Sequence, residues 1–158
     1  MFAYIKKMGL HSLLLTKDAA LLDMIRTNFA RFSVEVEMRS DANSATELLI
    51  RRHFDCFVVD CDDVPRSSEV VAKIRASGAN KQSVICSVVN AVTTVSAAFE
   101  QGANFVLGKP VSEKLLHGFI DTAMPRMERE HPPVFHQRQE LCCLRLVAPK
   151  AVLPVVAI

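Results

Sequence analysis

The fold of this chain is decided by the stretch FDCFVVDCDDVP, residues 54–65. Its apolar centre, Phe57 to Val59, predicts a strand that is buried on both faces of a sheet. Asp60 stands where this strand ends, and an acidic turn with Asp62 and Asp63 follows it. A carboxylate at the carboxyl end of a central parallel strand occupies the edge where open α/β sheets place their sites. The alternative is that these acids only form a polar turn and cap the next helix.

Length and composition indicate one globular domain. The 158 residues suffice for one core but not for two full domains. Half of the residues are apolar and 23% are charged, which excludes a disordered chain and a basic protein that coats nucleic acid. The formal net charge of +2 is too small to indicate a polyanionic partner. We find no signal peptide and no stretch as long as a membrane span, so no membrane association is expected.

The cysteines indicate a reduced, cytoplasmic protein. Their number is odd, and they lack the CxxC or His-paired spacing of a zinc site. Buried thiols are therefore a better interpretation than a disulfide framework. The five residues concerned are Cys56, Cys61, Cys86, Cys142 and Cys143.

Short apolar segments alternate with amphipathic ones along the chain. The pattern predicts strands over residues 12–15, 34–38, 57–60, 83–89 and 105–107. It predicts helices over residues 19–31, 41–52, 69–76 and 95–101, and a last one that starts at 112–113. Asp18 is predicted to cap the first helix, and Ser67 or Ser68 the third.

This alternation predicts an α/β fold. Right-handed crossovers through the helices give a five-stranded parallel sheet that is covered on both faces, in three layers. The strict alternation of residues 34–38 places that strand at an edge of the sheet. The expected architecture is flavodoxin-like, with strand order 2-1-3-4-5.

Several enzyme classes are disfavoured because their motifs are missing. The first strand-to-helix turn, residues 16–19, carries neither GxGxxG nor GxxxxGK[ST], and the chain has no GxSxG. A flavodoxin-like enzyme or small-ligand binder is therefore the last of three functional hypotheses. We expect a protein that is not an enzyme.

Three landmarks fall at the carboxyl edge of the predicted sheet: Asp60, Ser87 and Lys109, the last followed by Pro110. Together with Gly102-Ala103 before the fifth strand, they resemble the receiver (CheY-like) domain of two-component response regulators. The predicted receiver-like domain spans residues 10–124. The resemblance implies that Asp60 is at the phospho-acceptor position, Ser87 at the switch position and Lys109 at the phosphate-contact position.

The resemblance fails in three places around Asp60. Receivers carry an acidic pair at the end of strand one that helps to hold Mg²⁺, whereas this chain has Thr16 and Lys17 there, and only Asp18 is acidic. Pro65 comes one residue later than the proline of the family, so the loop is longer by one. Val88 replaces the small residue that leaves room for a phosphoryl group.

These departures predict a degenerate pocket. Lys17 and Lys109 are expected to hold Asp60 in an ion pair in place of a cofactor. The alternative is a weak Mg²⁺ site on Asp18 and Asp60, which Asp62 or Asp63 would complete by swinging inward.

The resemblance implies a signal-transduction module of a phosphorelay-type response regulator. Our first hypothesis is a pseudo-receiver that acts by protein–protein contact, with a histidine kinase or an output protein as its partner. The second hypothesis is an active receiver that a histidine kinase phosphorylates on Asp60 with Mg²⁺. A homodimer is compatible with either hypothesis.

Residues 125–158 are predicted to form a linker and an irregular apolar tail. Residues 141–147 resemble the opening strand of a PilZ domain, a family that binds cyclic di-GMP. The arginines Arg126 and Arg129 have the wrong spacing for the RxxxR of that family, and no [DN]xSxxG follows them. The tail is therefore interpreted as a truncated PilZ start or as a segment that docks on a partner.

Overall fold

The computed structural model of the chain describes residues 9–90 and 94–130, with side chains of the last helix described as far as residue 128. Strands and helices alternate along the described residues. The strands are β1 (Leu10–Leu15), β2 (Val34–Arg39), β3 (Cys56–Asp60), β4 (Val84–Val89) and β5 (Phe105–Gly108). The helices are α1 (Ala19–Ala30), α2 (Ala42–Arg51), α3 (Ser67–Ala76), α4 (Val95–Gln101) and α5 (Glu113–Glu130).

The five strands form one parallel sheet with the order β2-β1-β3-β4-β5. The predicted fold class, a flavodoxin-like α/β fold with strand order 2-1-3-4-5, is confirmed. Among the described strands, β2 pairs with β1 alone, and most of its residues are partly exposed, which fits the edge position that its alternating sequence predicts. Every residue of β3 is buried, as the apolar centre of residues 54–65 predicts for a strand covered on both faces.

Two apolar clusters cover the two faces of the sheet. One packs α1 and α5 against the sheet, and Phe119 of α5 lies there with its ring centroid 5.2 Å from that of Phe105. The other packs α2, α3 and α4 against the opposite face, around Phe57 and Ile74. Each fully buried side chain of this size contributes about 1.5–3 kcal/mol to stability. Because both faces of the sheet are covered, the side chains at the ends of its strands are held in fixed positions.

One of the two predicted helix caps is present, and the other is not. Asp18 caps α1 by accepting from the N–H groups of Ala20 and Leu21, as predicted. The predicted cap of α3 at Ser67 or Ser68 is wrong: Arg66 holds the cap position in the left-handed conformation, with φ at 64° and no side-chain cap bond. The Ser67 hydroxyl instead donates to the Cys61 carbonyl at 2.9 Å, because its buried side chain points back into the β3–α3 loop.

Helix α5 continues beyond residue 124, where the predicted receiver-like domain ends. It passes through Pro125 and is described as far as Glu130, so residues 125–130 are helical. Burial explains the extension, because Met127 is 0% exposed in the apolar cluster while Pro125 lies on the outer surface. Residues 131–158, with the resemblance to PilZ, lie outside the described residues.

Arg75 of α3 joins several segments at the amino-terminal edge of the sheet. Its guanidinium donates to the carbonyl oxygens of Lys81, Ser83 and Gly102 and to Asn104 Oδ1, at 2.7–3.0 Å. Gly102 ends α4 with φ at 120°, and a Cβ there would lie 3.1 Å from Arg75 Cγ. The arginine therefore holds the turn between α4 and β5 against α3.

Cys56, Cys61 and Cys86 are free thiols, as predicted for these three. Burial raises the pKa of Cys56 to about 12 and that of Cys86 well above its usual value. Among the helices of the described residues, none has the length and apolar character needed to cross a bilayer.

Candidate functional site

Two of the predicted site residues, Asp60 and Lys109, meet at the carboxyl edge of the sheet, and Thr16 joins them there. Asp60 is the last residue of β3, Thr16 follows β1 directly, and Lys109 follows β5. Because β1 and β4 flank β3, the carboxylate of Asp60 lies between the ends of its neighbours and is 0% exposed. The parallel sheet thus brings Asp60 into contact with Lys109, a residue 49 positions further along the chain.

Asp60 is held through one of its two oxygens. The Thr16 hydroxyl donates to Asp60 Oδ2 at 2.8 Å, and the Lys109 ammonium donates to the same oxygen at 2.8 Å. Thr16 is fixed in turn, because its Oγ1 accepts from the Asp18 N–H at 3.0 Å. No described residue donates a hydrogen bond to Asp60 Oδ1. The predicted contact between Asp60 and Lys109 is therefore present, and Thr16 adds a second donor.

Asp63 is a second carboxylate on Lys109. The Lys109 ammonium donates to Asp63 Oδ2 as well as to Asp60. The hydrogen bond from Lys109 holds the pKa of Asp63 below its usual value. Burial alone would lower the pKa of Lys109, but the two hydrogen bonds and the two carboxylate charges outweigh it and raise that pKa. Asp63 and Lys109 therefore both stay charged throughout the neutral range.

Asp62 holds the same loop at another point. Its Oδ2 accepts from the backbone N–H of Asn90, the residue that follows β4. Consecutive acids in the β3–α3 loop thus reach the ends of two different strands, β4 through Asp62 and β5 through Asp63. The structure places neither of them with Asp18 in a cluster of metal ligands.

Lys17 does not take the predicted place beside Asp60. Its side chain is exposed, and the ion pairs recorded among the described residues do not include it. The expectation that both lysines hold Asp60 is wrong for Lys17, because Thr16 is the residue of this turn that faces the carboxylate. A hydrogen bond from the Thr16 hydroxyl therefore replaces the expected ion pair between Lys17 and Asp60.

Asp18, the other candidate metal ligand, serves as the helix cap. Its Oδ1 accepts from the two N–H groups at the start of α1, at 2.9 and 3.3 Å. Within residues 9–90 and 94–130, no group of three or more His, Cys, Asp or Glu side chains is placed to hold a metal ion.

Ser87 lies on β4 and is 1% exposed. The strand register aligns it with Val59, whereas Val88 is aligned with Asp60. The Ser87 hydroxyl forms no hydrogen bond with Asp60 or Lys109, and the Cys61 thiol is the polar group that lies near it. The side chain beside the carboxylate is therefore that of Val88, which is fully buried.

A cavity of about 310 Å³ lies next to this site, between the β3–α3 loop and α4. Asp60 and Lys109 are not among its lining residues. Cys61 is, and burial raises the pKa of its thiol. The cavity therefore opens beside the carboxylate without giving access to it.

The roles of Thr16 and Asp63 are the two features of the site that the sequence did not reveal. Thr16 was identified only as a missing acid, although a hydroxyl can also donate to a carboxylate. For Asp63, the one-residue longer loop between Asp60 and Pro65 was the available signal, but spacing alone does not say which way a loop side chain turns.

Comparison with solved structures shows that the chain has the CheY-like fold of receiver domains. No protein-family model matches the sequence, and no curated protein sequence matches it significantly.

A response regulator receiver domain protein (CheY-like) from Methanospirillum hungatei JF-1 is similar with a TM-score of 0.66 and 18% identity, over 77% of this chain and 98% of that chain. The receiver domain of the sensor histidine kinase PA1611 from Pseudomonas aeruginosa PAO1, which has a magnesium ion coordinated in its active site cleft, is similar with a TM-score of 0.62 and 18% identity, over 74% of this chain and 98% of that chain. An adenylate cyclase from Rhodopirellula baltica is similar with a TM-score of 0.65 and 22% identity, over 78% of this chain and 93% of that chain.

Proposed function

We propose that this chain is a pseudo-receiver, a signalling module that acts by protein contact without phosphorylation of Asp60. The observation that carries the proposal is the state of the Asp60 carboxylate. It is 0% exposed, and Lys109 and Thr16 both donate to its Oδ2. A carboxylate that attacks a phosphoryl group needs an oxygen that the group can approach.

The side chain next to Asp60 supports the proposal by filling space. Val88 is aligned with Asp60 across the sheet and is 0% exposed. A phosphoryl group on Asp60 would have to displace buried methyl groups there, and close packing makes such a displacement unfavourable.

The donor set at this edge does not fit Mg²⁺. This ion is held by oxygen ligands, mostly carboxylates and water, in a near-octahedral arrangement. The side chain beside Asp60 is the hydroxyl of Thr16, where a second carboxylate would be needed as a ligand. Asp18 already accepts from two N–H groups of α1. We therefore propose no step through a metal ion.

A receiver-like module that is not phosphorylated would act by contacts with other signalling proteins. The proposed contact surface is formed by α4, β5 and α5, the face that serves as the usual output surface of the resembled family. Val95, Phe99 and Val111 are partly exposed on it, which gives a partner apolar groups to bury. The partner is proposed to be a histidine kinase or an output protein.

The second candidate, an active receiver, is favoured by one observation. Asp60 Oδ1 has no hydrogen-bond partner among the described residues, and Lys109 lies where it would neutralise an anion on that carboxylate. In that case the β3–α3 loop would have to open before Asp60 reacts.

Replacing Lys17 by aspartate tests the metal-independent part of the proposal. The substitution replaces an exposed positive charge by a carboxylate at the residue after Thr16. Because the charge at this position changes by two units in favour of a cation, we expect Mg²⁺ to bind at least about tenfold more tightly than to the wild type. Isothermal titration with MgCl₂ measures both affinities, and Lys81→Asp, an exposed lysine at the opposite edge, controls for net charge.

The same titration has two unfavourable outcomes. Saturable submillimolar binding of Mg²⁺ to the wild type would contradict the pseudo-receiver proposal. Equal, weak binding to the wild type and to Lys17→Asp would show that the missing acidic pair is not the main defect of the site.

A further inference from the structure

The β3–α3 loop brings the Asp63 carboxylate into contact with Lys109, the lysine of the site. A lysine ammonium has three N–H donors and no acceptor. Lys109 uses two of these donors, one for Asp60 Oδ2 and one for Asp63 Oδ2, and its side chain is 17% exposed. Asp63, which is 45% exposed, is therefore the outer ligand of the ammonium, and Asp60 is the inner one.

The loop is held in this position by its neighbouring residue. Asp62 accepts from the Asn90 backbone N–H, so the loop is attached to the end of β4 immediately before Asp63 reaches Lys109. Two attachments on consecutive residues leave the Asp63 carboxylate little freedom to turn away. The loop thus connects the ends of three strands, β3, β4 and β5.

We propose that Asp63 is an internal anion that occupies Lys109 and excludes phosphate and similar anions from the site. The inference rests on the proposed function, since it explains why a site with a lysine beside a carboxylate stays unreactive. Two carboxylates share one ammonium, so the cluster carries one more negative than positive charge. An incoming phosphate would meet this excess charge and would also have to compete with Asp63 for the Lys109 ammonium.

The proposal is tested with the full chain and inorganic phosphate as the probe. Asp63→Asn keeps the size of the side chain, removes its charge and frees a donor of Lys109. We expect phosphate to bind this variant at least about tenfold more tightly than the wild type, because one unit charge near the binding site is removed. The NMR signal of the Lys109 ε-methylene group reports the binding, with NaCl titrated at matched ionic strength as the reference.

Glu47→Gln is the matched control. Glu47 is exposed on α2, so this variant makes the same change of charge away from the site. It should bind phosphate no more tightly than the wild type does. If Glu47→Gln binds phosphate as tightly as Asp63→Asn does, the effect is explained by net charge alone, and the proposal is overturned.

Two other results would also overturn it. Equal phosphate affinity of the wild type and Asp63→Asn would show that Asp63 does not compete for Lys109. Absence of binding to both would show that something other than Asp63 excludes the anion. A phosphoryl adduct on Asp60 of the wild type is a separate result, which would refute the proposed function itself whichever variant binds free phosphate.

Discussion

Replacing Lys109 by methionine is expected to lower the free energy of unfolding by about 3–5 kcal/mol. The substitution keeps most of the unbranched side chain but removes the ammonium. It leaves the Asp60 carboxylate 0% exposed, with the Thr16 hydroxyl as its remaining donor among the described residues. A buried charge that loses its partner is strongly destabilising, because water does not replace the lost interaction. Asp63 contributes little to the effect, since it is half-exposed and can be hydrated.

Urea unfolding of Lys109→Met and Asp60→Asn, alone and combined, measures this coupling. Asn in place of Asp60 keeps an acceptor for Thr16 and removes the charge, so the double variant should be more stable than Lys109→Met alone. Lys114→Met, an exposed lysine of α5, should stay within about 0.5 kcal/mol of the wild type. A loss below about 1 kcal/mol in Lys109→Met would mean that Asp60 is hydrated and that the site is open.

Replacing Arg75 by methionine is expected to lower the free energy of unfolding by about 2–4 kcal/mol. The guanidinium donates to three carbonyl oxygens and to Asn104 Oδ1. The variant leaves these acceptors without their donor, and all of them except the exposed Lys81 carbonyl are partly buried. The Asn104 side chain also accepts from the Ile85 N–H at 2.9 Å, so its displacement would weaken the start of β4. The effect is thus expected to reach the sheet and not only the turn after α4.

Urea unfolding is again the measurement, and Lys73→Met on the outer face of α3 is the control for the loss of a positive charge. Amide hydrogen exchange of β4 and β5 should become faster in Arg75→Met than in Lys73→Met. Equal stability of the two variants would show that water satisfies the carbonyl oxygens as well as the arginine does.

The fold could be predicted because burial leaves a clear signal in the sequence. Residues 57–59 are apolar without interruption, since β3 is covered on both faces, and residues 34–38 alternate, since β2 is an edge strand. The contact between Asp60 and Lys109 followed from the same topology, because the ends of parallel strands meet at one edge.

The loop contacts at this edge could not be predicted in the same way. Thr16 and Lys17 are neighbours, and which of them faces Asp60 depends on the exact turn after β1. The extra residue before Pro65 was visible, but its consequence, the contact of Asp63 with Lys109, depends on the path of the loop. Hydrophobic periodicity does not constrain the direction of polar side chains in a loop.

Sequence signals for helix ends were also incomplete. Pro125 is a typical helix breaker, yet α5 passes through it because Met127 is buried beyond it. At α3, the two serines of the cap region predict a serine cap, whereas Arg66 holds that position. Its left-handed conformation is uncommon for a residue other than glycine, so the sequence does not indicate it.

The central claim, that Asp60 is not phosphorylated, is tested most directly by intact-mass spectrometry after incubation with acetyl phosphate and MgCl₂. Asp60→Asn, treated in parallel, reveals any phosphoryl transfer to other residues. We expect no phosphoryl adduct on the wild type or on the variant, because the carboxylate is buried and already hydrogen-bonded to Lys109 and Thr16. A phosphoryl adduct on the wild type that is missing from Asp60→Asn would contradict the claim and identify the chain as an active receiver.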